Sequence, residues 1–333
     1  MSPTAPARGG SALDAAAAEL AARLPGRVTR DASVTELTTY RLGGPVAVLA
    51  RVGDDAELAH VATVMRELRP PLLIVGRGSN LLVADAGFAG LAIVLDGAFE
   101  EIELRDATVR AGGAVPLPVL ARRTAASGRA GLEFLVGIPG TVGGAVRMNA
   151  GGHGRETVEV LERAWVADLI GEGAPVERTP ASLELGYRRS GLTRSEVVTA
   201  AELAVSVDDR SACEARVGEI VRWRREHQPG GANAGSVFRN PLGDSAGRLI
   251  DACGLKGFRH GGAVVSSKHA NFVQAEPGAT AGDVRALVLE VRRRVEEATG
   301  VRLVPEVAMV GFDRDDDVDH EVDHGADHES GRS

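Results

Sequence analysis

Apolar residues recur along the chain at two spacings, and each predicts a different kind of element. At intervals of three or four, Leu58, Val61, Met65 and Leu68 mark the buried face of a helix that Asp54-Asp55 cap and Pro70-Pro71 break. Val284, Leu287, Val288, Val291 and Val295 repeat that stripe more cleanly near the C-terminus. Other helices are predicted over 11–24, ended by Pro25-Gly26, over 117–127, stopped at Gly128, and around 246–253. One more carries Cys213, Val217, Ile220, Val221 and Arg224; Asp208-Asp209 begin it and Pro229-Gly230-Gly231 break it. Short apolar runs between turn residues read as strands at 46–51, 72–75, 81–83, 91–95, 101–104 and 107–111. Later runs at 158–168, 197–207, 271–274, 301–304 and 306–310 complete the strands.

This mixture, with no internal repeat, indicates an α+β architecture. A chain of 333 residues suits two domains, or two lobes with a third packed over them, and a boundary is expected near Val207-Asp208.

Composition narrows the class. The apolar and charged fractions, 44% and 25%, are ordinary for a soluble enzyme, and no apolar run approaches the ~20 residues that cross a bilayer. The start, Met1 to Gly10, has no hydrophobic signal core, so a cytoplasmic location is expected. Cys213 and Cys253 form no CxxC, which argues against a disulfide framework or a Cys metal site. Of the net charge of −8, nine acids against Arg314 and Arg332 place −7 in residues 313–333. The near-neutral body offers no case for nucleic acid or an anionic membrane. His320, His324 and His328 among those acids read as a solvated tail, and no metal site is assigned.

Two glycine-rich segments carry the first chemical signal. In residues 137–152 the glycines recur at close intervals, so an ordinary helix is not expected there, each interior Gly costing ~1 kcal/mol against Ala. Main-chain N–H groups in such a segment can close on a polyanionic ligand. The second, Gly76-Arg77-Gly78-Ser79-Asn80, follows an apolar strand but lacks the third glycine of a dinucleotide fingerprint and runs on into Leu81-Leu82-Val83. A strand–turn–strand of this kind can form a backbone nest for phosphate, with Ser79 and Asn80 adding side-chain bonds.

Three distant segments are polar where their surroundings predict otherwise. They are Gly186-Tyr187-Arg188-Arg189-Ser190, the run from Asn233 through Gly235-Ser236-Val237-Phe238-Arg239-Asn240 to Pro241, and Pro305-Glu306-Val307. Each alone reads as a surface arginine, a turn serine or an edge-strand acid. Their occurrence together with two phosphate-type turns calls for a site.

From Thr38 to Val310 these motifs, in order, resemble the UDP-N-acetylenolpyruvoylglucosamine reductase family. Thr39-Tyr40-Arg41-Leu42-Gly43-Gly44, the turn at 76–82, the stretch at 137–151, Tyr187-Arg188-Arg189-Ser190 and Ala234-Gly235-Ser236-Val237-Phe238-Arg239-Asn240-Pro241 carry the match. Ala246-Gly247-Arg248-Leu249-Ile250-Asp251, Gly254-Leu255-Lys256-Gly257, Gly261-Gly262-Ala263, His269-Ala270-Asn271-Phe272 and Pro305-Glu306-Val307 extend it. The resemblance implies a two-lobed FAD-binding fold of the PCMH/vanillyl-alcohol-oxidase type, plus a C-terminal α+β substrate-binding domain. The expected division is 1–27 as tail and short helix and 28–207 as the FAD-binding domain, with lobes at about 28–97 and 98–207. The substrate-binding domain follows at 208–304, then a closing strand at 305–312 and the acidic tail at 313–333.

The implied reaction is NADPH-driven reduction of UDP-N-acetylglucosamine enolpyruvate to UDP-N-acetylmuramate, a peptidoglycan precursor. NADPH would pass a hydride to flavin N5 and leave; the enolpyruvyl substrate would enter the same cleft and take it at the methylene carbon. By residue-by-residue match, Arg188 faces the substrate carboxylate and developing enolate, Ser236 is the proton donor, and Glu306 assists. An isolated ionised Glu306 could not help an enolate, so either a raised pKa or a tight pairing with Arg188 is expected. A serine hydroxyl is a poor acid in water, so Ser236 must be polarised by neighbours or act in a relay.

Implied cofactor contacts are Arg41, Gly76, Arg77, Gly78, Ser79, Asn80 and Leu81, then Gly137, Ile138, Pro139, Gly140, Thr141, Gly143, Gly144, Asn149, Ala150 and Gly151. Implied substrate contacts are Tyr187, Asn240, Lys256 and Asn271. The short segment from Val207 to Gly235 leaves no room for the long Tyr-bearing loop of one branch of the family, so the chain resembles the shorter branch. Arg239, Lys256, Arg259 and Lys268 are then the candidates for holding the diphosphate. A monomer is expected. The competing readings are an FAD-dependent oxidase or dehydrogenase of a sugar or alcohol on the same flavin fold, and a non-catalytic flavin or nucleotide-sugar module. No His lies between Arg77 and Arg110 to tether flavin.

Overall fold

The computed structural model describes residues 8–312, so the acidic His-containing tail and the first seven residues lie outside the described residues. In the first lobe, strands Val28–Ala32, Val46–Val52, Phe88–Leu95 and Leu72–Ile74 form a sheet in that order. The last three are mutually parallel, and Val28–Ala32 joins antiparallel. Helices Arg8–Arg23 and Asp55–Leu68 supply Leu20, Leu58, Val61 and Met65 to a core shared with Leu91 and Ile93. Asp54 caps the second helix as its sequence predicts, accepting from Glu57 N at 2.8 Å.

The second lobe is an antiparallel sheet ordered Val176–Arg178, Leu161–Asp168, Glu196–Ala204, Thr108–Gly112, Ile102–Leu104. Helix Arg210–His227 buries its apolar face on this lobe. Its Cys213 and Val217 are buried in one core with Leu117, Leu120, Phe134 and Leu135. The expected boundary at Val207-Asp208 is therefore corrected to the break after His227. Amphipathic spacing shows that a helix has a buried face, but not which neighbour covers it.

In the third unit, strands Arg259–His260, Ala263–Val265 and Val273–Ala275 carry helices Ala246–Ala252 and Ala281–Thr299. The predicted Val284, Leu287, Val288, Val291 and Val295 stripe is fully buried against them. Thr280 and Asp283 form a capping box at its start, and Gly300 ends it at φ 73°. Asp85, from the first lobe, accepts from Ala281 N and Gly282 N, both at 2.9 Å, and so docks that helix end.

The chain's final strand, Ala308–Val310, returns to the first lobe and runs parallel to Leu81–Val83. The strand expected at 301–304 is absent; the chain there instead makes a single bridge, Phe238 to Pro305, with Arg239 N donating to Val304 O at 2.9 Å.

The glycine stretch departs from expectation in one respect. Val142–Met148 is helical, capped by Thr141 and closed by Asn149 at φ 41°. Its glycines serve packing: a Cβ on Gly143 would stand 3.1 Å from both Gly113 O and Val198 O, so only a bare backbone lets the helix lie this close to the sheet.

Candidate active site

Between the first two lobes lies a cleft of about 220 Å³, with Gly76 and Arg77 on one wall and Thr141, Gly143 and Gly144 on the other. The two glycine turns face each other: a Cβ on Gly76 would come within 2.8 Å of Thr141 Oγ1, and one on Gly140 within 3.5 Å of Ser79 Oγ. The amides of Gly76, Arg77, Gly78, Ser79 and Asn80 meet no acceptor among the described residues, nor do those of Gly140 and Thr141. Such an unpaired row of donors, left by a non-regular backbone, is free to bond an anion. Gly78 is indispensable to its shape, with φ 56° and Leu37 O only 2.1 Å from where a Cβ would sit.

The second turn contributes less than its glycines suggest. Val142 N and Gly143 N donate to Val115 O and Gly113 O at 3.0 and 2.9 Å, and Gly144 N donates to Thr141 Oγ1 at 3.3 Å. These amides are spent inside the protein. The cleft also holds Arg51, Gly113 and Arg147, which the motif reading missed. The Gly112-Gly113 doublet was a signal available for Gly113 alone. Arg147 is half-buried, which pushes its guanidinium pKa down, and it donates to Thr193 O at 2.8 Å.

Arg188 sits in a tight turn in which the backbones of Gly186 and Arg189 exchange hydrogen bonds at 3.1 Å. Its φ of 55° is the left-handed value that the third position of a type II turn requires and that normally selects glycine. Holding an arginine there costs roughly 1–2 kcal/mol, offset by what its side chain gains. The guanidinium donates to Asn149 O at 3.3 Å and Gly151 O at 3.1 Å, and Nε lies 3.3 Å from Glu306 Oε1. Glu156 Oε1 approaches at 3.7 Å, and the guanidinium lies over the Tyr187 ring at 5.0 Å.

Glu306 is anchored by its backbone, its N–H donating to Val237 O at 2.7 Å. That bond brings it beside half-buried Ser236, whose hydroxyl makes no hydrogen bond among the described residues. Burial raises the Glu306 carboxyl above its usual range, with Arg188 and then Arg239 opposing the shift. Both expected features, the raised proton affinity and the pairing with Arg188, are therefore present together. Arg239 Nε is buried with no protein partner.

Several assigned contacts take other work. The Asn149 side chain, fully buried, donates to Glu156 Oε2 at 2.9 Å and Gly186 O at 3.1 Å and accepts from Val158 N at 2.9 Å. Its side-chain amide thus locks the Arg188 turn, and Gly151 likewise presents its carbonyl to Arg188. Asn271 is buried, with Nδ2 donating to Phe238 O at 2.8 Å and Oδ1 accepting from Phe238 N at 3.0 Å, so its side chain braces the Phe238 backbone. Lys256 pairs with Asp251 at 2.6 Å, Arg259 with Glu276 at 2.6 Å, and Lys268 donates to Arg225 O at 2.6 Å. Asn240 N reaches Tyr187 Oη at 3.4 Å across the gap between the second and third units. Leu81, Gly137, Ile138, Pro139 and Ala150 adjoin the two turns in sequence, while Arg41, at φ 55°, lies in the segment whose Thr39 N donates to Gly78 O at 3.3 Å.

Residues 46–172 match the model of an FAD binding domain, and 227–310 match the C-terminal domain of UDP-N-acetylenolpyruvoylglucosamine reductase. Among curated proteins, UDP-N-acetylenolpyruvoylglucosamine reductase 2 of Symbiobacterium thermophilum is 43% identical over 87% of this chain and 94% of its own. The reductase of Syntrophotalea carbinolica is 43% identical over 82% and 91%. The crystal structure of the Thermus caldophilus reductase superposes with a TM-score of 0.75 at 38% identity, covering 85% of this chain and 99% of that one.

Proposed function

The chain belongs to the UDP-N-acetylenolpyruvoylglucosamine reductase family, and on that premise we propose how its own residues reduce the enolpyruvyl ether of UDP-N-acetylglucosamine to UDP-N-acetylmuramate. The protein is an FAD-dependent, NADPH-consuming oxidoreductase of peptidoglycan precursor synthesis. Among the described residues no helix is long and apolar enough to span a membrane, and a cytoplasmic site of action is proposed.

FAD suits the cleft because its pyrophosphate needs many donors and little side-chain bulk, which the amides of residues 76–80, Gly140 and Thr141 provide. Once bound, FAD supplies the two-electron chemistry, taking hydride from NADPH and giving it to the substrate's methylene carbon. Arg77 and Arg51 stand on the cleft wall to balance phosphate charge.

Arg188 is proposed to hold the substrate carboxylate as negative charge spreads into it, its fork pre-oriented by Asn149 O and Gly151 O. Glu306, whose proton affinity burial raises, is proposed to donate a hydrogen bond to the same developing enolate when it carries its proton. Ser236 delivers the proton to the enolate carbon. Tyr187 and Asn240, which meet at 3.4 Å, are proposed to contact the substrate, and Arg239 to offer its Nε to an anionic oxygen of the nucleotide sugar. NADPH and substrate occupy one cleft in turn, and the active species is a monomer.

The convergence of Arg188 and Glu306 at 3.3 Å from remote parts of the chain carries this reading. Anaerobically, NADPH should bleach the yellow holoprotein, and UDP-N-acetylglucosamine enolpyruvate should restore the colour with one UDP-N-acetylmuramate per flavin. Bleaching by a simple sugar or alcohol, with no recovery on adding the enolpyruvyl substrate, would favour an oxidase instead.

A further inference from the structure

Glu306 is held at both ends of its own residue. Its N–H goes to Val237 O at 2.7 Å, beside Ser236, and its carbonyl accepts from Asn80 Nδ2 at 2.9 Å. Asn80 O in turn accepts from Ala308 N at 3.0 Å. The parallel ladder begins only at Leu81 and Ala308, so at Glu306 a side-chain amide does the work of the missing ladder bond. Asn80 is also the last residue of the amide nest. One residue thus belongs to the phosphate turn through its backbone and to the acid through its side chain.

We propose that Asn80 is a positioning residue for Glu306: its side-chain amide transmits the set of the cofactor turn to the acid and keeps the carboxyl against Arg188. This rests on the reading of Glu306 given above. The consequence is that the reacting centre is ordered only when the turn is, which ties proton delivery and enolate stabilisation to the cofactor-bound state. The charged groups facing the carboxyl are Arg188 and Arg239, with Glu156 sharing Arg188. A Glu306 released from Asn80 gains water and holds its proton less tightly.

The test uses FAD-saturated holoprotein with Asn80→Ala and, to keep the side chain's shape while removing its donor, Asn80→Asp. Reoxidation by the enolpyruvyl substrate should slow about tenfold or more in both variants, and by more than flavin reduction by NADPH slows in the same protein. An infrared titration supplies a readout without substrate. The carboxyl band that disappears in Glu306→Gln should titrate at lower pH in Asn80→Ala than in wild type. Equal losses in both half-reactions, or an unmoved band, would overturn the proposal. Failure of the wild-type holoprotein to be reoxidised by the substrate would sink the functional reading, while the infrared comparison would still decide the coupling.

Discussion

The guanidinium of Arg188 and the carboxyl of Glu306 meet at 3.3 Å with only 19% and 16% of their side chains exposed. At that degree of burial a pair is worth more for its geometry than for stability, since desolvation offsets much of the attraction. Removing Glu306 leaves the buried guanidinium without its carboxyl partner.

Arg188→Lys keeps the charge but cannot span Asn149 O, Gly151 O and Glu306 at once. Reoxidation of reduced flavin by substrate should fall by about 100-fold, roughly the loss of one preorganised donor. Stopped-flow traces of the two half-reactions check this; a lysine variant within a factor of about three of wild type would deny the fork its role.

The pH dependence follows from Glu306. A carboxyl raised above its usual range stays protonated to higher pH, so a step that needs the proton is lost as pH rises through the raised value. The oxidative half-reaction should therefore show a descending limb that Glu306→Gln, an uncharged donor, flattens. A limb that persists unchanged in Glu306→Gln belongs to another group.

Ser236→Ala removes a hydroxyl that bonds nothing within the described protein. Flavin reduction by NADPH should survive, while the oxidative half-reaction slows by orders of magnitude. Comparable losses in both halves would give the serine a structural role instead.

Gly78→Ala puts a Cβ 2.1 Å from Leu37 O on a backbone at φ 56°. The turn must move, at a cost of about 1–3 kcal/mol, and purified protein should carry much less flavin, read from absorbance per chain. Full flavin content would show that the nest is not the cofactor's anchor.

Asn271→Ala strips both hydrogen bonds from the buried Phe238 backbone. Urea unfolding should show a loss of about 2–4 kcal/mol, one desolvation penalty for each orphaned group. Because Phe238 follows the Ser236–Val237 pair, the same variant should also slow the oxidative half-reaction. A loss below about 0.5 kcal/mol would deny Asn271 this bracing role and leave the substrate contact first expected of it.

Much of the fold was legible in short stretches. The Val284 to Val295 stripe, the Asp54 cap and the strand–turn–strand at Gly76 all depend on neighbours within a few residues, and all three formed as read. The helix at Val142–Met148 did not follow its poor propensity, because contact with Gly113 and Val198 outweighs what its glycines lose. Asn149 and Asn271, expected from their motifs as ligand contacts, show a related limit. An Asn in a motif advertises hydrogen bonds, but only the fold says whether backbone or ligand receives them.

By itself the chain's order of residues determined the elements, the motifs and the kind of chemistry, since periodicity, caps and turn residues act over one or two helical turns. The tertiary structure alone decided that helix Arg210–His227 belongs to the second lobe. It also decided that the final strand returns to Leu81–Val83 and that Glu306 lands between Val237, Asn80 and Arg188. Those contacts join segments far apart in the chain, and their energy comes from burial and backbone pairing that exist only once the lobes have docked.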